Sequence, residues 1–94
     1  MSIRALSLTW EAFEGSGGEL LLALALADFA DDDGASIYPS VARLARKTRR
    51  SRRAVQLGLR RLEARGWLER VAEAGTARAS AVYRINPAWM AAAR

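Results

Sequence analysis

Apolar residues recur at helical spacing along most of the chain, and turn-forming residues separate these stretches. In residues 2–15, Leu6, Trp10 and Phe13 stand at i, i+4 and i+7, which predicts a short helix with one apolar side. The sequence GSGG at 15–18 then predicts a turn, because glycine tolerates the backbone angles that turns require.

The next segment, residues 17–30, is apolar almost all round, which predicts a buried central helix. Ser16 and Glu19 stand three residues apart at its start, in the arrangement of a capping box. The sequence DDDG at 31–34 should end the helix, since its glycine can adopt a left-handed conformation. The short sequence ASIY at 35–38 suits a brief strand.

The middle of the chain predicts two further helices with a short turn between them. Pro39 suits a first helical turn and Ser40 suits a cap, so one helix should continue from there to about Thr48. Ser51 is a second cap candidate, and it precedes a longer helix over residues 52–65. The positions expected to face the core are Val41, Leu44, Ala45, Ala54, Val55, Gly58, Leu59 and Leu62.

The remainder of the chain predicts a β-hairpin followed by a short helix. Gly66 should stop the preceding helix as a left-handed cap. Residues 67–71 and 81–85 alternate as strands do, and the polar, small-residue loop at 72–80 can join them. Residues 86–94 have an Asn cap, a Pro in the first turn and alanines that favour a helix.

The length and composition fit one small domain over residues 1–94. The chain has 94 residues, of which 51% are hydrophobic, so it can bury one core but not comfortably two. The pattern predicts a mainly α protein with a small β-hairpin, of the α+β class. The longest apolar run, at 20–30, is interrupted by Asp28 and is too short to span a bilayer.

The residue types that are missing narrow the function. The chain contains no Cys and no His, which excludes thiol chemistry, disulfides, the usual zinc ligand sets and imidazole catalysis. It also lacks a pair of separated carboxylates in a predicted cleft and a signal-peptide pattern. We therefore expect no enzyme activity, no cofactor, no membrane or small-molecule partner, and a cytoplasmic location.

The net charge of +5 hides a strong asymmetry along the chain. Residues 1–33 carry seven acids and one Arg, whereas residues 34–94 carry fourteen basic residues and three acids. From Arg43 to Arg65, ten residues are Arg or Lys and only Glu63 is acidic, so internal salt bridges cannot balance the charge. Because like charges destabilise a compact fold, a polyanion bound along this segment would offset their repulsion.

Two helices, a glycine stop and a hairpin in this order resemble the winged helix-turn-helix family of DNA-binding domains. The resemblance rests on SVARLARKTRRSRRAVQLGLRRLEARGWLERV at 40–71 and on the hairpin through Ile85. The whole chain is also similar to small bacterial, phage and plasmid helix-turn-helix domains, including N-terminal domains of phage-type replication proteins. The matching features of this subgroup are MSIRAL with Trp10, LLLALALADFADDDG, and YPSVARLARKT. The resemblance implies a three-helix core, a wing and binding to double-stranded DNA.

The turn between the two central helices departs from the family pattern. Many members have Gly and then an apolar residue where this chain has Arg49 and Arg50. Arg49 must therefore either accept a left-handed conformation or force a different turn. The two arginines add positive charge where DNA phosphates would lie.

The helix over residues 52–65, the third of the three-helix core, is predicted to lie in the major groove, where base edges distinguish all four base pairs. Arg can bond guanine and Gln can bond adenine through two hydrogen bonds each, and first-turn residues usually reach the bases. The predicted base-reading residues are Arg52, Arg53 and Gln56, and the predicted backbone contacts are Ser40, Arg49, Arg50, Ser51 and Arg60. By resemblance, Thr76 and Arg78 form the wing tip, with Arg78 entering the minor groove or gripping the backbone.

Two further patterns have competing interpretations. Three consecutive Asp residues at 31–33 resemble a cation site, but calcium-loop spacing is absent, and we expect a solvated helix end instead of a metal site. Aromatic and other large apolar residues of the two terminal segments could form a homodimer interface, since such anchors are enriched there. The alternative is that the two ends of one chain pack together. The residues concerned are Trp10, Phe13, Trp89 and Met90.

The sequence as a whole predicts sequence-specific binding to double-stranded DNA, as in a transcriptional regulator. One alternative is the DNA-binding domain of a phage- or plasmid-type replication initiator. An alternative of a different class is a protein-interaction module whose basic side binds an acidic partner.

Overall fold

The computed structural model describes residues 2–73 and 80–93, and these residues form five helices and a two-stranded antiparallel sheet. The predicted α+β class is confirmed, and the element order is that of a winged helix-turn-helix. The elements are α1 (Ile3–Ala12), α2 (Gly17–Phe29), α3 (Val41–Thr48), α4 (Arg52–Ala64), β1 (Leu68–Ala72), β2 (Val82–Ile85) and α5 (Pro87–Ala92).

Helix α2 is the centre of the core, as its nearly uniform apolar sequence predicts. Leu22, Ala23 and Leu26 on it are all buried, and α1, α3 and α4 each pack against it. Gly58 lets α4 approach closely, because a Cβ at that position would lie 2.6 Å from Cδ2 of Leu22. The position of α4, and with it the arginines that it carries, is therefore set by contact with α2.

The hairpin pairs β1 with β2 and is joined by one earlier residue. Leu68 lies opposite Ile85, and both are buried, which attaches one face of the hairpin to the core. Ile37 forms an isolated bridge with Tyr83, with N–H···O distances of 3.1 and 2.7 Å in the two directions. The strand predicted at 35–38 is thus reduced to this one bridge.

Helix α1 buries only part of its predicted apolar side. Leu6 and Phe13 pack against the core together with the fully buried Ala5 and Thr9, whereas Trp10 is 65% exposed. Small side chains allow α1 to pack closely on α2, and the Thr9 hydroxyl donates to the Ala5 carbonyl oxygen at 2.7 Å. The pattern of large apolar residues predicted this side only in part, because size, and not hydrophobicity alone, decides which residues fit.

Two predicted helix starts also differ in detail. Ser16 makes no side-chain cap hydrogen bond to α2, so the capping box is not formed. Glu19 instead binds the guanidinium of Arg65 at 2.5 Å, which joins the start of α2 to the end of α4. Pro39 does not lie in the first turn of α3, because Ser40 is the cap and the helix begins at the following residue.

The apolar residues of the two terminal segments pack mostly within the chain, around one tryptophan. The ring of Trp67 meets Phe13 edge-on at 5.3 Å and Trp89 edge-on at 5.6 Å. Met90 is 5% exposed and belongs to the core. The arrangement follows the alternative in which the two ends of one chain pack together. Of the four residues predicted as dimer contacts, Trp10 alone is exposed.

Candidate nucleic-acid interface

The turn from α3 to α4 places an arginine in a left-handed conformation. Arg49 has φ 56° and ψ 42°, as expected if this chain keeps the family's turn without its glycine. The Arg50 N–H donates to the Ala45 carbonyl at 3.0 Å and the Arg49 N–H donates to the Arg46 carbonyl at 3.4 Å. These two bonds form a Schellman motif, which fixes the angle between the two helices.

Both helices of the turn begin at a serine cap. The Ser40 hydroxyl accepts from the Arg43 N–H at 3.0 Å, and the Ser51 hydroxyl accepts from the Ala54 N–H at 3.0 Å. Both serines are exposed, so the helix N-termini beside them face solvent. Exposed N-termini attract anions, because unpaired N–H groups and the helix dipole give them partial positive charge.

The side chains of α4 divide into three flanks around the helix. Arg52 and Gln56 share a flank with Glu63, and Glu63 binds Arg70 of β1 at 3.0 Å, so this flank lies on the hairpin side. Arg61 lies on the opposite flank, with the residue that binds Glu19 at the start of α2. Arg53, Leu57 and Arg60 stand between these flanks at i, i+4 and i+7 and point away from the core.

Seven arginines of α3, α4 and the intervening turn are exposed and have neither a carboxylate partner nor an aromatic ring contact in residues 2–73 and 80–93. Without such a partner, their charge is balanced only by solvent ions. They therefore make the surface formed by α3, the turn and the outward half of α4 strongly positive. We call them the unpaired arginines: Arg46, Arg49, Arg50, Arg52, Arg53, Arg60 and Arg61.

The arginines that follow on the chain are occupied by contacts within the protein. Arg65 binds Glu19 and also donates to the Glu14 carbonyl oxygen. Arg70 binds both Glu63 and Glu73 at 3.0 Å. These hydrogen bonds raise the pKa of Arg70 above its ordinary value, and the bond with Glu63 has the larger effect. Arg84 of β2 binds Glu69 of β1 across the hairpin at 2.7 Å. We call these three the paired arginines: Arg65, Arg70 and Arg84.

Two basic residues of α3 are likewise held, by the end of α2. Lys47 binds Asp28 at 2.6 Å, and its ammonium lies 5.3 Å from the centre of the Phe29 ring. The guanidinium of Arg43 lies 4.8 Å from the same ring. The acidic segment at residues 1–33 therefore pairs with one edge of α3, whereas the unpaired arginines form no ion pair with it in the described residues.

Three exposed residues beside the predicted DNA contacts were not predicted as contacts from the sequence. Arg46 and Arg61 belong to the unpaired arginines, and Leu57 lies in the middle of the outward side of α4. A groove of about 440 Å³ between α2 and α4 is lined by Arg61 together with Arg50 and Gly18. The helical spacing already indicated their outward positions, because none of the three belongs to the predicted inner face.

The predicted wing residues Thr76 and Arg78 lie outside the described residues.

The acidic turn that follows α2 binds its own backbone. Asp31 accepts hydrogen bonds from the N–H groups of Ala35 and Asp33 at 2.9 Å, and the bond from Ala35 is the main cause of its lowered pKa. Within residues 2–73 and 80–93, no cluster of acidic side chains has an arrangement that could hold a metal ion. In the same residues, no helix has the length and apolar character to cross a membrane.

Comparison with known proteins agrees with this geometry. A family model described as a helix-turn-helix domain matches residues 16–68, the segment from the start of α2 to the start of β1. Searches of curated proteins and of solved structures gave no match. Membership of a helix-turn-helix family indicates DNA binding, for which the unpaired arginines supply a suitable surface. The matched segment spans more than half of the chain and includes both helices and the turn, and the chain belongs to this helix-turn-helix domain family.

Proposed function

We propose that the protein binds double-stranded DNA sequence-specifically, with α4 in the major groove, and that it acts as a transcriptional regulator. The observation that supports this most is that the unpaired arginines lie exposed on α3, the turn and the outward half of α4 without acidic partners in the described residues. A duplex offers the closely spaced negative charges that such a surface needs. The proposal assigns no catalytic activity and no cofactor to the chain.

The contacts divide by their position on α4 and on the turn. Arg52, Arg53 and Gln56 occupy the first turns of α4 and are proposed to reach base edges. The groups proposed to bind phosphates surround them, because the backbone strands border the groove on both sides. These phosphate-binding residues are Ser40, Arg49, Arg50, Ser51 and Arg60.

The hairpin is proposed to act as a wing. Its stem carries Arg70 and Arg84, which are bound to glutamates and so have little charge left for DNA. Contact with the minor groove or the backbone is therefore assigned to the tip, through Thr76 and Arg78. This assignment rests on family resemblance and on the sequence.

We also propose a homodimer. Because most of the predicted dimer contacts pack within the chain, the proposed interface is limited to exposed residues of α1. Trp10 is 65% exposed and Ile3 is 76% exposed, and they stand at i and i+7 on one side of α1. Covering both would remove apolar surface from water, which favours association. Light scattering at micromolar concentration should give a dimer that Trp10→Ala converts to monomer. A strict monomer, with and without DNA, would exclude the dimer.

Titration with duplex DNA at several salt concentrations tests the central proposal. About six phosphate contacts predict a slope of about −5 when log K is plotted against log salt concentration. Arg53→Ala combined with Arg60→Ala should weaken binding strongly and make the slope shallower. The matched control, Arg70→Ala with Arg84→Ala, loses the same charge but should leave the slope close to that of the native chain.

The same titration separates the alternatives. A flat salt response, or no binding at low salt, would favour the protein-interaction module over DNA binding. Selection of bound fragments from random DNA then distinguishes the two DNA-binding roles. A palindrome with half-sites about 34 Å apart, or a multiple of that distance, would suit a dimeric regulator. Tandem direct repeats would instead suit a replication initiator that recognises origin repeats.

A further inference from the structure

We infer that Leu57 reads a thymine, by packing its side chain against the C5 methyl group of that base in the major groove. The inference rests on the proposed placement of α4 in the groove and adds a specificity-determining residue to it. Leu57 lies among charged neighbours, and removing one methyl group from the DNA tests its role.

Leu57 is the apolar exception on the outward side of α4. It is 36% exposed, whereas Val55, Leu59 and Leu62 on the inner side are at most 4% exposed. Leu57 lies four residues after Arg53 and three before Arg60, so the three side chains are neighbours along the helix surface. Single exposed leucines are common on proteins, but this one stands between two unpaired arginines.

The flanking charges decide what can cover Leu57. A second basic copy of this surface would be repelled by the unpaired arginines, and an apolar partner would leave those arginines buried without counter-charge. The occupant must therefore present negative charge on both sides of a small apolar group. The major groove does this, because phosphates line its edges and the thymine methyl is the apolar group on its floor.

The chemistry at the contact explains why the position is not another arginine. An arginine at 57 would add affinity for any sequence through phosphates, and guanine would be its preferred base. A leucine gives up that general attraction and gains a contact that only a C5 methyl can make. The expected consequence is a preference for thymine over cytosine beside the base pairs read by Arg53 and Gln56.

The experiment replaces single thymines by deoxyuridine in the duplex obtained from random-DNA selection. Deoxyuridine keeps the base pair and every hydrogen-bonding group and removes only the methyl. One thymine in the site, or one in each half-site, should show a loss of about fourfold in affinity, as expected for one buried methyl group. The native chain and Leu57→Ala are titrated side by side on each duplex.

Leu57→Ala should bind the thymine and deoxyuridine duplexes equally, because the partner of the methyl is gone. Leu21→Ala is the matched control, since Leu21 is 41% exposed on α2 and its truncation should leave the fourfold loss intact. Thermal unfolding of both variants confirms that each is folded. Leu57→Met supplies a second apolar side chain and should retain part of the thymine preference.

The outcomes separate this inference from the proposed function. A preferred duplex on which no deoxyuridine substitution matters would overturn the role of Leu57 and leave DNA binding standing. Equal losses in the native chain and in Leu57→Ala would overturn it as well, because another group would then read the methyl. Failure to select any preferred duplex would overturn both the sequence-specific function and this reading of thymine.

Discussion

Helices α3 and α4 end in the same hydrogen-bonding motif but use different residues for it. The left-handed residue is Arg49, with φ 56°, at the end of α3 and Gly66, with φ 80°, at the end of α4. The N–H of the residue that follows the left-handed one bonds back to a carbonyl in both cases, at 3.0 Å from Arg50 and 3.1 Å from Trp67. Equal geometry therefore does not mean equal strain, because a side chain in this conformation costs about 1–2 kcal/mol.

The surroundings of the two helix ends differ in charge balance, and the strained end is also the one with unpaired charge. The end of α4 has a glycine, the paired Arg65 and a tryptophan that is 4% exposed. The end of α3 has a strained arginine and continues into the other unpaired arginines. Strain and unbalanced charge lower stability, and they persist where a partner outside the chain compensates for them. We propose from this difference that the α4 end maintains the fold and that the α3 end serves binding.

Removing the tryptophan should have the largest effect on stability. Trp67→Ala is expected to lower the free energy of unfolding by about 3–5 kcal/mol, since Phe13 and Trp89 would both lose the ring that they contact. Chemical denaturation measures the change. Trp67→Phe should cost far less, because it keeps a ring and removes an indole N–H without an acceptor in the described residues.

The two helix ends do not differ in role if they respond alike to truncation. Arg46→Ala, at the α3 end and among the unpaired arginines, should change stability by less than about 0.5 kcal/mol. A loss comparable to that of Trp67→Ala would show that the α3–α4 surface also maintains the fold.

Truncations on α4 should have the next largest effect, and on DNA affinity instead of stability. Arg53→Ala or Gln56→Ala is expected to weaken a specific site by about 1–3 kcal/mol and to relax the preference at one base pair. Arg60→Ala should weaken all sequences similarly, because a phosphate contact carries no sequence information. Competition titrations with the selected duplex and a scrambled one measure both. If the two kinds of substitution behave alike, the division into base-reading and phosphate-binding residues is wrong.

Exchanging the left-handed residues tests the comparison most directly. Arg49→Gly should raise the free energy of unfolding by about 0.5–1 kcal/mol, the left-handed strain relieved less the chain entropy that glycine adds. It should also weaken DNA binding and reduce the salt slope by about 1, through loss of one phosphate contact. Gly66→Ala should lower stability by about 1 kcal/mol, because an alanine is strained at φ 80°. It should leave DNA binding unchanged, since the added Cβ would meet no atom within 4 Å.

Arg49→Ala is the control for the arginine exchange. It removes the guanidinium but keeps the Cβ, so it should lose the same DNA affinity as Arg49→Gly without gaining stability. Greater stability of both variants would mean that the charge of Arg49, and not its backbone conformation, destabilises the turn.

The sequence predicted those parts of the fold that depend on local signals. Ser40, Ser51 and Gly66 mark helix ends through their own backbone bonds, and the structure has helix ends at all three. The sequence left two outcomes open at Arg49: a left-handed conformation or a different turn. The structure has the first, because the turn keeps the family's geometry without its glycine. Alternation of apolar residues was likewise enough to predict the hairpin.

Contacts between distant segments could not be predicted from the sequence. Nothing local indicates that Glu19 binds Arg65 or that Lys47 binds Asp28, since each pair forms only once the helices have packed. The small residues on the inner side of α1 were missed for a similar reason, because packing against α2 selects residues such as Ala5. The charge excess was visible from composition, but which arginines remain unpaired depends on these tertiary contacts.

The smallest expected effect comes from one of the paired arginines. Arg70→Ala removes two exposed ion pairs and a contact with the Tyr83 ring, which should lower stability by about 0.2–1 kcal/mol. Because salt screens exposed pairs, the loss should shrink as salt concentration rises. DNA affinity should stay unchanged, whereas Arg61→Ala, with the same change in charge, should weaken it. If Arg70→Ala weakens DNA binding as much as Arg61→Ala does, total charge governs binding, and the distinction between paired and unpaired arginines has no functional meaning.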